Sequence, residues 1–152
     1  MAPRIGIGYD SHRFERGRRL VLGGVEIPHT QGLAGHSDAD VAAHAVIDAV
    51  LGAAGLGDLG AHFPPDEERW RDADSIGLMR LAAAQVRGVV VNVDLSIICE
   101  APAIGPHRPE MERVLAEALS APVSVKATTN EGMGWIGRGE GIAAIAVALV
   151  DV

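Results

Sequence analysis

The longest apolar run in the chain, Ile142 to Val150, does most to limit its fold. It is about half the ~20 residues that a membrane-spanning helix needs, so it reads as a buried strand. A sheet with helices on one face must solvate or bury the other, and strands this apolar argue for burial against other subunits. An oligomer is therefore expected, although sequence physics does not choose its symmetry.

Other segments fill in the sheet and its cover. Residues 4–12 alternate loosely, and Leu20–Leu22 and Val25–Ile27 flank Gly23-Gly24, a turn signal between extended runs. Ser37 with Asp40 three residues on resembles a capping box, and an Ala-rich helix then runs to about Ala54. Gly55 to Asp66 reads as a loop, after which Asp74 or Ser75 caps a second helix to about Arg87, ended by Gly88. Val89–Ile98 is β-branched, and a third helix follows Pro109 with Met111, Val114, Leu115, Ala118 and Leu119 on one face, closed by Pro122. Val123–Thr129 reads as a strand, Asn130–Gly141 as a glycine-rich loop and Ile142–Val150 as the last strand. This mixture over residues 1–152, without repeat or linker, predicts a single α/β (α+β) domain. Helices should pack on one face of a mixed β-sheet.

Charge and cysteine usage narrow the function. The net charge is −7 and the basic residues are scattered apart from Arg16–Arg19, which disfavours nucleic acid. A lone Cys99 excludes an intrachain disulfide and fits a reducing compartment. The opening Arg4–Asp10 carries no secretory pattern, so a cytoplasmic location without a membrane partner is expected. An anionic small substrate would have to be met by metal ions, backbone donors and a few local cations.

A metal constellation answers that demand. Asp10 and His12 are two apart in a strand-like segment, so both side chains leave the same face. Asp40, His44 and Asp48 recur every four residues along the first helix, which makes His44 a third ligand. Two imidazoles and a carboxylate suit zinc, and three protein ligands leave a tetrahedral position open for substrate or water. Asp48 or Asp40 would accept the other ring N–H of a ligating histidine. His36 and Asp38 lie close enough in sequence for a different ligand set, and Asp-x-His on a strand also arises by chance.

Two glycine-rich segments need separating from this. Gly6-Ile7-Gly8-Tyr9-Asp10-Ser11 lacks the third glycine and following helix of a dinucleotide fingerprint, and is rejected as one. Thr128-Thr129-Asn130-Glu131-Gly132 ends a strand and offers hydroxyls, backbone N–H groups and a carboxylate to a divalent cation beside phosphates. Gly137-Arg138-Gly139-Glu140-Gly141 reads on spacing alone as a tight turn with an Arg-Glu pair.

Taken in order, Asp10-Ser11-His12, Gly23-Gly24-Val25 with Ile27-Pro28, Ala34–Asp40 with His44, Gly57-Asp58-Leu59-Gly60, Phe63-Pro64, Ala73-Asp74-Ser75, Lys126–Thr129 and Gly137–Gly141 resemble the 2-C-methyl-D-erythritol 2,4-cyclodiphosphate synthase family over essentially the whole chain. The resemblance implies a homotrimer with active sites between subunits. It implies conversion of 4-diphosphocytidyl-2-C-methyl-D-erythritol 2-phosphate to the cyclic diphosphate and CMP, with no protein nucleophile. Zn2+ would sit on Asp10, His12 and His44, one per subunit, and Mg2+ or Mn2+ with the diphosphate would be held by Glu131. His36 and Thr129 would stabilise the transition state. Ser37, Asp58, Gly60 and Phe63 would line the methylerythritol pocket, and Asp10, His12, His36, Glu131, Trp135 and Arg138 would also contact substrate. Ala101 and Pro102 would read the cytosine, and Thr128 would contact phosphate. Arg138 would line a central channel that takes an isoprenoid diphosphate, with Trp135 as an aromatic wall beside it. Ser11, Pro65 and Ala103 depart from a common family pattern. Ser11 should point away from the ligands, Pro65 weakens any transfer of polyol contacts, and Ala103 leaves a cationic nucleotide contact without its usual lysine. Two readings compete with this one, a zinc phosphohydrolase and a non-catalytic cytidine-nucleotide-binding trimer.

Overall fold

A computed structural model describes residues Met1–Val152. Strand β1 (Pro3–Arg16) runs antiparallel to the last strand in register from Pro3↔Asp151 to Arg13↔Gly141, and its far end pairs with a short strand at Gln31–Leu33. With β2 (Leu20–Leu22), β3 (Val25–Ile27), β4 (Gln31–Leu33), β5 (Val89–Ile98), β6 (Val123–Thr128) and β7 (Gly141–Asp151), the main sheet has the order β4-β1-β7-β5-β6. Only β5 and β6 are parallel, so the sheet is mixed as expected. β2 and β3 form a separate hairpin, turned by Gly23 and Gly24 at φ 59° and 76°, the conformation a two-residue hairpin turn demands.

Helices α1 (Val41–Ala53), α2 (Leu59–His62), α3 (Ser75–Gln85), α4 (Arg108–Leu119) and α5 (Gly134–Gly137) join the strands. The Ala-rich α1 lies directly on β1 and β7, and the glycines of the rejected fingerprint explain why. A Cβ on Gly6 would stand 2.1 Å from the Ala49 carbonyl oxygen, and one on Gly8 would stand 1.9 Å from that of Ala45. Two residues of strand (roughly 6.8 Å) are matched by four residues of helix (about 6 Å), so the next inward positions, Asp10 and His12, fall beside the start of α1. Ala144, Ala146 and Ala148 of β7 are fully buried in the same core.

The opposite face of the sheet is apolar and uncovered. Ile5, Ile7 and Tyr9 are 77, 71 and 55% exposed, and Ile7 and Tyr9 pair across strands with the exposed Val147 and Ile145.

Several boundaries differ from expectation. Asp40 itself caps α1, accepting from Ala43 N at 2.9 Å, so Ser37 is not the cap. The same carboxylate accepts Gly23 N and Gly24 N at 2.8 and 2.7 Å, stapling the hairpin to the helix start. The loop expected at Gly55–Asp66 contains α2, and that expected at Asn130–Gly141 contains α5. α3 ends at Gln85, short of Arg87, and α4 begins at Arg108, before Pro109.

Candidate metal centre and its cavity

Period-two geometry on β1 and the packing of α1 bring the three expected ligands together. Asp10 Oδ2 lies 2.9 Å from His12 Nε2 and 3.1 Å from His44 Nδ1, with the two rings edge-on at 5.6 Å. All three donor atoms fall within 4.8 Å of one another. Bonds of about 2.0–2.1 Å in a tetrahedron separate donors by roughly 3.3 Å, close to the 2.9 and 3.1 Å from Asp10 to the two imidazoles, so small shifts fit the trio to a metal. Their chemistry fits as well, because each imidazole is oriented through its other nitrogen. His12 Nδ1 donates to the Ala34 carbonyl at 2.8 Å, leaving the Nε2 lone pair for a metal. His44 Nε2 meets Ser75 Oγ at 2.8 Å and Ser37 Oγ at 3.2 Å, leaving Nδ1.

This corrects the expected acceptors of those ring protons. Asp40 is spent on three backbone N–H groups, and Asp48 accepts Leu59 N at 2.8 Å, holding α2 rather than a histidine. Ser75, fully buried, takes the role instead. Its hydroxyl donates to Asp38 Oδ1, and its backbone N–H donates to Asp38 Oδ2 at 2.9 Å. Sequence reasoning had Ser75 only as a helix cap, a position that Asp74 occupies by accepting Ile76 N at 3.1 Å. No spacing rule finds the contact of Ser75 with His44, or Asp38 behind it, because it is made only by the packing of α3 against α1.

Electrostatics follow the geometry. Burial works to raise the Asp10 carboxyl, but hydrogen bonds from His12 and His44, with their charges, outweigh it and hold the group down at about 2. Burial also works to lower His44, yet its bond to Asp10 and the nearby carboxylates raise it above the usual imidazole value. Desolvation pushes fully buried Asp40 up to about 6, against the three N–H donors that favour its charge.

The trio opens onto a cavity of 530 Å³. His36 and Ser37 line it from the loop before α1, and Asp58, Gly60 and Phe63 from the turn around α2. Asp58 caps α2 by accepting Ala61 N at 2.9 Å. Pro65 also faces this space, and Trp70, packed edge-on against Phe63 at 5.0 Å, adds an apolar wall that sequence reasoning missed.

The remaining expected residues lie elsewhere on the chain and do not line this cavity. Ala101 and Pro102 follow β5, and Thr128, Thr129 and Glu131 end or follow β6. The parallel pairing Ile98↔Thr128 sets the two segments at one sheet edge. The Glu100 carboxylate ties them together, accepting Asn130 N at 2.7 Å and Gly132 N at 3.0 Å. Glu131 projects from a backbone at φ 54°, its N–H donating to Thr129 Oγ1 at 3.2 Å. Trp135 and Ser11 line a second groove of 610 Å³, which His12 also borders; Ser11 itself does not line the 530 Å³ cavity. Arg138 forms an exposed pair with Glu140 at 2.7 Å.

Fold and site together define a small α/β domain with an Asp-His-His trio able to hold a metal ion beside a ligand-sized cavity. A model of the YgbB family matches residues 3–151, and the chain belongs to that family. It is 55% identical to the 2-C-methyl-D-erythritol 2,4-cyclodiphosphate synthase of Salinibacter ruber, over 97% of this chain and 98% of that protein. It is 54% identical to the bifunctional enzyme IspD/IspF of Granulibacter bethesdensis, over 100% of this chain and 42% of that one. The chain thus spans about two fifths of the length of such bifunctional relatives. A solved 2C-methyl-D-erythritol-2,4-cyclodiphosphate synthase with CDP bound is 38% identical, superposes with a TM-score of 0.88, and is matched over 97% of this chain and 100% of that one. The resemblance read from the motifs therefore holds, as does the mixed α/β fold. No helix is long and apolar enough to cross a membrane.

Proposed function

We propose that this chain is a zinc-dependent 2-C-methyl-D-erythritol 2,4-cyclodiphosphate synthase, working in the cytoplasm as one domain per subunit. The observation that carries this is the Asp10–His12–His44 trio opening onto a ligand-sized cavity, in a chain matched nearly end to end by a relative of that name. In the proposed reaction an oxygen of the substrate's 2-phosphate forms a bond to the β-phosphorus of the diphosphate. The bond from that phosphorus to the bridging oxygen breaks, and CMP leaves with the electron pair. Both partners belong to one substrate, so catalysis consists of positioning and charge neutralisation.

Asp10, His12 and His44 would hold the zinc. Cations bound there and at Glu131, the latter Mg2+ or Mn2+, supply positive charge to phosphate oxygens whose repulsion otherwise opposes closure. His36 and Thr129 donate hydrogen bonds to the phosphates as charge redistributes. Ser37, Asp58, Gly60 and Phe63 seat the methylerythritol, Ala101 and Pro102 the cytosine, and Thr128 a phosphate. Within one chain these groups form two separate clusters, and the uncovered apolar face centred on Ile7 and Tyr9 supports a homotrimer that joins the cavity of one chain to the Thr128–Glu131 edge of the next. Trp135 and Arg138 would then face the trimer axis, where an isoprenoid diphosphate would bind.

Incubating zinc- and magnesium-loaded protein with the substrate and following phosphorus NMR tests the reading. CMP and the cyclic diphosphate should appear together, and neither should form with His44→Ala. Release of inorganic phosphate would replace this reading with a hydrolase. Unchanged substrate bound to folded, metal-loaded protein would replace it with a binding module.

A further inference from the structure

His36 reaches the cavity from a connection that has no ladder of its own, between the end of β4 at Leu33 and the start of α1 at Val41. Its ring makes no hydrogen bond within the chain, so no polar side-chain contact holds it and its placement depends on the backbone that carries it. That backbone is held from outside by three consecutive carbonyls. Asp72 N donates to His36 O at 3.1 Å. The carbonyls on either side are both taken by one side chain, with Arg18 Nη1 donating to Gly35 O and Nη2 to Ser37 O, each at 2.8 Å.

Arg18 follows β1, seventeen residues before Gly35 and nineteen before Ser37, and its side chain is 29% exposed, with Glu15 Oε2 at 3.7 Å. A planar guanidinium with fixed donor directions can orient the Gly35–His36 and Ser37–Asp38 peptide planes at once, while Asp72 N holds the His36–Ser37 plane between them, whereas an ammonium is a single point that cannot span both carbonyls. Arg18 makes no hydrogen bond to Asp10, His12, His44, the Ala34 carbonyl or the Ser75 hydroxyl. The one metal-orienting residue it touches is Ser37, whose Oγ at 3.2 Å is the longer of the two contacts to His44 Nε2, so the shorter Ser75 contact at 2.8 Å stays when Arg18 is lost.

We infer that Arg18 is a positioning residue, clamping the Gly35 and Ser37 carbonyls and thereby aiming His36 into the cavity. Its consequence for turnover rests on the proposed role of His36 at the phosphates.

Two readouts test the clamp on intact, zinc-loaded protein carrying Arg18→Ala or Arg18→Lys. In the first, the His36 ring signals in the proton NMR spectrum are assigned with His36→Gln. Both Arg18 variants should shift or broaden these signals and leave those of His12 and His44 in place. In the second, kcat should fall ~10- to 100-fold, the scale on which small misplacements act. KM and zinc affinity should stay within about threefold. Added guanidinium ion should restore part of the loss in Arg18→Ala, and Arg18→Lys should remain impaired. Unmoved His36 signals would overturn the inference. So would an unchanged kcat, or a loss that follows metal release or instability and is not relieved by guanidinium. Should the wild-type protein form no CMP, the functional reading fails by itself, and the NMR readout still decides whether the clamp exists.

Discussion

Ser75→Ala isolates the contact that aims His44. The hydroxyl is fully buried between His44 Nε2, at 2.8 Å, and the Asp38 carboxylate. Removing it leaves the ring N–H with only Ser37 Oγ, at 3.2 Å. Losing an outer partner of a ligating histidine costs ~10–100-fold in metal affinity, or roughly 1.4–2.7 kcal/mol. Because Ser37 still offers an acceptor, the single variant should sit near tenfold, about 1.4 kcal/mol. Ser37→Ala/Ser75→Ala, which orphans the ring N–H, should approach ~100-fold. Folding should survive, since Asp38 keeps Ser75 N at 2.9 Å and Asp40 N at 3.1 Å. Zinc competition against a chromophoric chelator at fixed pH reads the affinity, and urea unfolding of the metal-free variants reads the fold. A double variant that binds zinc within about twofold of wild type would refute the reasoning, because no outer contact would then be orienting the ligand.

Gly8→Ala places a methyl 1.9 Å from the Ala45 carbonyl oxygen, so α1 must lift off β1 and carry His44 away from Asp10. Overpacking of this kind should cost about 3 kcal/mol, lower Tm by roughly 6–12 °C by calorimetry, and weaken metal binding as well. In the metal-free protein, Asp10 lies at about 2 against 3.8 for a free carboxylate, so it contributes stability that is complete above about pH 4 and lost as pH falls through 2. Urea titrations from pH 5 to pH 2 should show this loss, about 2 kcal/mol, in wild type and not in Asp10→Asn. His44, raised above its ordinary value, must shed its proton to bind metal, so zinc uptake near neutral pH should release protons measurable by indicator dye. Ile7→Asp, on the uncovered face, should reduce the proposed trimer to monomers in sedimentation velocity while leaving the far-ultraviolet spectrum of the subunit unchanged.

How legible the molecule is depends on the range of the interactions involved. The strand Val89–Ile98 and the Ala-rich helix α1 follow from local composition, and the sequence reading places the strand residue for residue. The metal trio is legible because strand and helix periodicities each point two or more groups one way. α2 and α5 are single turns inside glycine-rich connections, set by contacts such as Asp48 to Leu59 N rather than by any periodicity. β4 has three residues and exists because it meets the extended end of β1. The partners of the histidine rings were misassigned for a related reason. Spacing on α1 favours Asp40 and Asp48, whereas α3 delivers Ser75 from thirty-one residues away.

The central claim is a reaction site completed between chains, with the metal cluster from one subunit and the Glu131 edge from another. Subunit-exchange complementation tests it most directly. His44→Ala and Glu131→Ala, each inactive alone, are unfolded, mixed in equal amounts, refolded with zinc and magnesium, and assayed for CMP. If each site draws one cluster from each of two neighbours, one site in every mixed trimer carries both intact clusters, about a quarter of all sites once the parental trimers are counted, and roughly a quarter of wild-type activity should return. Mixed oligomers that stay as inactive as their parents would contradict the account, since both clusters would then be required within a single chain.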